Sequence, residues 1–135
     1  MKRVSIFIFS LLITTSISAK FFWDMNPDDI SNDIAVAIRN GNSKDLAKFF
    51  NTSIDLTVPG NEETFSKAQA ELIVKDFFQK NPPKTFTINH QGSSNDGSKY
   101  SIGTYVSSTG SFRTYFLLKK VGNSFFIQQL QFELQ

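Results

Sequence analysis

The sequence predicts an α+β domain, three helices packed on an antiparallel sheet in the order α-α-β-α-β-β-β-β. Two observations carry this. Up to Lys80 the apolar residues recur mainly at helical spacing, and after Pro83 the period drops to two. Turn sequences at 92–97, 107–110 and Gly122-Asn123 then follow at hairpin intervals, which makes the last four strands a meander and hence antiparallel.

The first 19 residues read as an export leader. Met1-Lys2-Arg3 is a short positive start, residues 4–13 carry no charge, and the small polar run from Thr14 to Ala19 suits a signal peptidase, with cleavage after Ser18 or Ala19. The apolar stretch is shorter than the ~20 residues a bilayer span needs, so no membrane span is expected after leader removal. Residues 20–27 form a connector holding Phe21, Phe22 and Trp23, and residues 28–135 form a single domain.

Asn26 is placed to cap a first helix, with Pro27 at its first position and Asp28 and Asp29 against its positive end. Ile30, Ile34, Ala37 and Ile38 make its apolar face, and Gly41 stops it. A short second helix over 43–50 carries Leu46, Ala47, Phe49 and Phe50. Residues 54–58 alternate as a strand that Pro59-Gly60 ends, and 61–64 read as a loop. Ser66 and Gln69 form a capping box for the third helix. Its stripe of Ala70, Ile73, Val74, Phe77 and Phe78 is the best periodic signal in the chain, and Asn81-Pro82-Pro83 stops it.

Four strands follow. The first, 85–91, places Phe86, Ile88 and His90 on one face; Tyr100, Ile102, Thr104 and Val106 mark the second. The third, 112–121, is apolar on both faces over its middle. In the last, 125–134, Phe126, Leu130, Phe132 and Leu134 point one way, and that face is assigned to the helices.

Composition narrows the function classes. There is no cysteine, so neither a disulfide nor a lipid-modified cysteine is available, and apolar packing alone must hold the domain. Phenylalanine supplies much of that packing: of 15 in the chain, two lie in the leader, and each buried one contributes roughly 1.5–3 kcal/mol by transfer. The 14 basic residues fall to 12 when Lys2 and Arg3 leave with the leader, balancing the 12 acidic ones. A neutral domain without a basic run has no footprint for nucleic acid.

Three stretches resemble the nuclear transport factor 2-like superfamily, also described as a cystatin-like α+β cone. They are residues 34–42 with 46–50, the helix from Ala68 to Lys80 with its paired Phe77-Phe78 and following Pro82, and the closing hairpin of 115–119 with 125–130. More narrowly, the chain resembles small exported bacterial members of no assigned function. The resemblance covers about residues 28–134. It implies a curved sheet wrapped round a long helix, often leaving a conical pocket. It implies no single activity, because the fold hosts isomerases, dehydratases, transport adaptors and scaffolds.

His90, the single histidine, reads either as a general base facing a pocket or as an edge residue beside a polar turn. One histidine with no cysteine or carboxylate motif makes no metal site. Enzymes of the superfamily use acidic, histidine or tyrosine side chains inside the cone. Here Asp96 falls in a turn, Glu133 lies opposite Phe132, Asp76 lies off the helical stripe and Asp55 faces outward, so no acid–base pair is evident. Tyr105, Arg113 and Tyr115 are candidates for one shared face. Asn51-Thr52-Ser53 matches a glycosylation sequon, a triplet common by chance.

The candidate contact surface is Tyr115, Leu117, Val121, Phe125 and Ile127, which strand parity sets on the sheet face away from the helices. The leading expectation is therefore a non-enzymatic exported domain, periplasmic or secreted. Its candidate partners are a second copy of the chain, another envelope protein or a small apolar ligand, and no cofactor is expected. One alternative is a small lyase or isomerase using His90 and Tyr100 in the cone; another is a structural accessory domain of the cell envelope.

Overall fold

The computed structural model describes residues 26–135. The leader and the Phe21-Phe22-Trp23 stretch of the connector lie outside the described residues. Three helices and six strands follow in the order α1 (Pro27–Arg39), α2 (Ser43–Ala47), β1 (Phe50–Val58), β2 (Asn61–Ser66), α3 (Lys67–Lys80), β3 (Pro83–Ser93), β4 (Lys99–Ser107), β5 (Gly110–Val121) and β6 (Ser124–Leu134). No helix among these residues is long and apolar enough to cross a membrane.

The helix signals act as read. Asn26 Oδ1 accepts from the Asp28 N–H at 3.1 Å, and Pro27 opens α1. At α3 both halves of the Ser66–Gln69 capping box form, satisfying N–H groups that the helix itself leaves unpaired. α2 is shorter than its apolar run, because Phe50 leaves the helix to open β1. The stretch 61–64, expected as a loop, is most of an additional strand: β2 pairs antiparallel with β1 around Pro59-Gly60. Apart from Phe65, which packs against the core, its residues are polar and exposed because it is an edge strand, so no apolar alternation marks it.

All six strands form one curved, open sheet in the order β2-β1-β6-β5-β4-β3. The β3–β6 meander is antiparallel, whereas β1 joins β6 in parallel. That parallel pair is possible because β1 and β6 are joined by a long connection, through β2, α3 and the first three strands of the meander, and not by a tight turn.

The helices cover one face, and the space between is filled. Ile34, Ile38, Leu46, Phe50, Ile54, Val74, Phe116 and Leu130 are all at most 1% exposed. Phe77 of α3 stacks on Phe132 at 4.6 Å between ring centroids and meets Phe112 edge-on at 5.1 Å and Tyr105 at 5.5 Å. The Tyr105 hydroxyl donates to the Asn81 carbonyl, and burial holds its pKa well above that of a free phenol. Phe86 lies across Gly103, where a Cβ would come within 2.6 Å of the Thr87 carbonyl oxygen and 2.9 Å of the Phe86 ring.

Buried polar groups are few. Thr114, fully buried on the helix-facing side of β5, carries the one buried side-chain oxygen among the described residues without a hydrogen-bond partner. Thr114→Val replaces that hydroxyl by a methyl of similar shape. It is expected to stabilise the domain by about 1 kcal/mol, since an unpaired buried hydroxyl costs about 1–3 kcal/mol. Thermal melting checks this; a lowered melting temperature would show that the hydroxyl is satisfied in solution.

Candidate functional site: the outer face of the sheet

Which side chains reach the outer face depends on two bulges. In β3, Ile88 pairs with Gly103 but His90 pairs with Ile102, so Asn89 is an extra residue. Its side-chain amide donates to Thr104 Oγ1 at 2.8 Å, anchoring the bulge to β4. The insertion turns His90 to the face opposite Phe86, correcting the expectation that the two share a face. In β6, Gln129 pairs with Leu117 and Ile127 with Leu118, leaving Gln128 as the extra residue. Asn51 Nδ2 donates to Gln128 Oε1 at 3.1 Å.

The second bulge revises the candidate contact surface. Ile127 is fully buried on the helix side with Leu130 and Phe132, and Phe125 packs against the same core. Neither can serve on the outer face. Phe126, assigned to the helices from alternation, instead pairs with Lys119 on the outer face and is half-buried. Tyr115 and Leu117 do face outward, and Val121 is half-exposed beside the terminal hairpin. Tyr105 parts from Arg113 and Tyr115, because in β4 it is Ser101, Gly103, Tyr105 and Ser107 that turn inward.

The register lays the outer residues out in rows across the strands. One row runs Thr64, Asp55, Gln129, Leu117, Tyr100, Gly92; the next runs Glu62, Thr57, Gln131, Tyr115, Ile102, His90; a third holds Glu133, Arg113, Thr104 and Thr87. The β5–β4–β3 half is aromatic and aliphatic. Tyr100 stacks on Tyr115 with centroids 6.4 Å apart and planes 23° apart, and His90 Nε2 lies 3.2 Å from the Tyr100 hydroxyl. Gly92 belongs here because the Tyr100 ring fills the space that a Cβ would need. Burial and the neighbouring Tyr100 raise the pKa of Tyr115, against the lowering effect of Arg113. The β2–β1–β6 half is polar and acidic, with Asp55, Glu62, Thr64, Gln129 and Gln131 around a shallow cleft of about 260 Å³.

His90 and Tyr100 thus meet, but behind the cone. The buried polar side chains, mostly on the cone side, are hydroxyls: Ser31, Ser98, Ser101, Ser107 and Thr114. A second shallow cleft of about 250 Å³ lies between Asp28 and Ser31 of α1 and Gln91, Ser93 and Lys99 of the sheet. Among the described residues no group of acidic, histidine or cysteine side chains is arranged to hold a metal ion.

The family profile described as "Domain of unknown function (DUF4783)" matches residues 31–133, from α1 to the end of β6. The chain belongs to the DUF4783 family. A DUF4783 protein from Bacteroides ovatus is 31% identical, with 76% of this chain and 93% of that one covered at a TM-score of 0.72. Another from Bacteroides uniformis is 28% identical over 78% and 97%, at a TM-score of 0.74. A nuclear transport factor 2-like protein of unknown function from Cytophaga hutchinsonii shares the fold at 10% identity, over 80% and 88%, with a TM-score of 0.56. No curated protein matches the chain. This DUF4783 domain therefore has a nuclear transport factor 2-like fold, as its helix and hairpin sequences imply.

Proposed function

We propose that this is an exported protein-interaction domain whose outer sheet face seats a second copy of the chain. The observation that carries the reading is the contrast between the two sheet faces. The cone side is closed by packed aromatic rings, whereas Tyr100, Ile102, Tyr115, Leu117 and Phe126 stand half-buried on a face that no helix among the described residues covers. A solvated sheet face is ordinarily polar, and a contiguous apolar patch on one marks a contact surface. A second copy suits it because the leaderless chain is charge-balanced, so two copies meet without net repulsion. The sheet edges are poor alternatives for pairing: β2 presents Glu62 and Glu63, and β3 opens on Pro83-Lys84 and carries two register shifts.

Leu117→Glu tests the surface. The variant is expected to keep the wild-type circular dichroism spectrum and to run as a monomer in native mass measurements where the wild type runs as a dimer. A variant that stays dimeric, or a monomeric wild type, would refute the reading. Export makes a separate prediction: N-terminal sequencing of material outside the inner membrane should begin at Ala19 or Lys20, and a start at Met1 would refute the leader.

A further inference from the structure

We propose that the cleft between α1 and the strands β3 and β4 binds a neutral saccharide, one pyranose ring held by hydroxyl, amide and charged groups. The site does not depend on the outer-face contact, because α1 forms one of its walls.

Two serines distinguish this cleft from an ordinary dent in the surface. Ser31 of α1 and Ser101 of β4 are 3% and 2% exposed, yet both line it. The Ser31 hydroxyl has no hydrogen-bond partner among the described residues. The Ser101 oxygen accepts from Gln91 Nε2 at 3.4 Å, which leaves its own proton unused. Unlike the Thr114 oxygen, which is sealed in the core, these hydroxyls open on a space that a ligand can enter. A buried hydroxyl left unpaired is costly, so two of them turned to one cleft mark a place where the partner comes from outside the chain.

The lining selects the class of ligand. Asp28 and Lys99 bring one charge of each sign, and neither joins an ion pair among the described residues. An anion would meet Asp28, and a cation would meet Lys99. The start of α1 offers an anion nothing either. Its Asp28 N–H is taken by Asn26 Oδ1, and those of Asp29 and Ile30 by the Asn26 carbonyl. The remaining polar groups of Ser31, Gln91, Ser93 and Ser101 are neutral, and each both donates and accepts. A sugar hydroxyl does the same: it donates to a carboxylate such as Asp28 and accepts from an ammonium such as Lys99. Lys99 Nζ donates to Ser93 Oγ at 2.6 Å, which ties that ammonium to the cleft wall. At about 250 Å³ the space admits one pyranose ring and no extended apolar ligand.

The test is a titration of the leaderless protein with glucose, galactose, mannose and N-acetylglucosamine, followed by amide NMR. At least one sugar is expected to saturate in the millimolar range, with shifts confined to Ser31 and to residues 91–93 and 99–101. Ser31→Ala removes only the hydroxyl and puts a strong helix former in α1. It should keep the wild-type circular dichroism spectrum and bind that sugar at least tenfold more weakly. Leu117→Glu should bind the sugar as wild type does, so loss of the outer-face contact and loss of the sugar site are read separately. Saturation of the same amides by inorganic phosphate or by free glycine, without a response to any sugar, would overturn the saccharide. No saturable response to any of these probes would mean a cleft filled by water only and would overturn the site. Unchanged sugar affinity in Ser31→Ala, or shifts centred elsewhere, would overturn it as well. Should Ser31→Ala fail to fold, Ser101→Ala replaces it, with the same loss required.

Discussion

Phe77→Ala is expected to destabilise the domain by about 3–5 kcal/mol, the usual cost of emptying a phenylalanine site in a packed core. The side chain is 4% exposed and meets the rings of Phe78, Tyr105, Phe112 and Phe132, so its removal opens a cavity where α3 meets β4, β5 and β6. Tyr105, Phe112 and Phe132 are anchored on separate strands and cannot collapse into the space without bending the sheet. With no disulfide to limit the loss, and with domain stabilities of roughly 5–15 kcal/mol, the variant should melt far below wild type. A melting point within a degree or two of wild type would show that α3 does not organise this core.

Ile127→Glu should be as severe, and its contrast with Leu117→Glu decides the sheet's inside from its outside. Ile127 is fully buried, and its backbone N–H donates to the Phe49 carbonyl at 2.7 Å. A carboxylate there sits in an apolar core with no partner, and an uncompensated buried charge costs about 3–5 kcal/mol before the lost isoleucine packing is counted. Leu117, on the neighbouring strand, is half-buried on the outer face and is expected to tolerate the same change. Circular dichroism and thermal melting should show Ile127→Glu unfolded or nearly so and Leu117→Glu folded. If both fold, or if the two exchange behaviour, the bulge at Gln128 is absent in solution and the outer surface must be redrawn.

The helices and hairpins were legible because their signals are local. A cap acts within one turn, as Asn26 and Ser66 do, and the stripe of Ala70, Val74, Phe77 and Phe78 repeats within a single helix. The switch to period two after Pro83 and the Gly122-Asn123 turn are likewise set by neighbours in the chain. The family resemblance rested on those segments, and the fold agrees with it. The candidate site was legible only in part. Tyr115 and Leu117 were placed on the correct face because β5 alternates without interruption from Phe112 to Leu118.

Tertiary structure decided the rest. β2 exists because β1 offers it a ladder, not because Asn61-Glu62-Glu63-Thr64 prefers a strand. The parallel pairing of β1 with β6 joins segments some 75 residues apart, as in Leu56 with Leu130, and no local pattern encodes it. Most consequential are the two bulges. One inserted residue inverts inside and outside for the adjoining stretch of strand, and the groups that hold it lie elsewhere: Thr104 for Asn89, Asn51 for Gln128. By itself the sequence determined where the chain coils, extends and turns, since those preferences act over a few residues. Which face His90, Phe126 and Ile127 present was left to cross-strand partners that only the assembled sheet brings together.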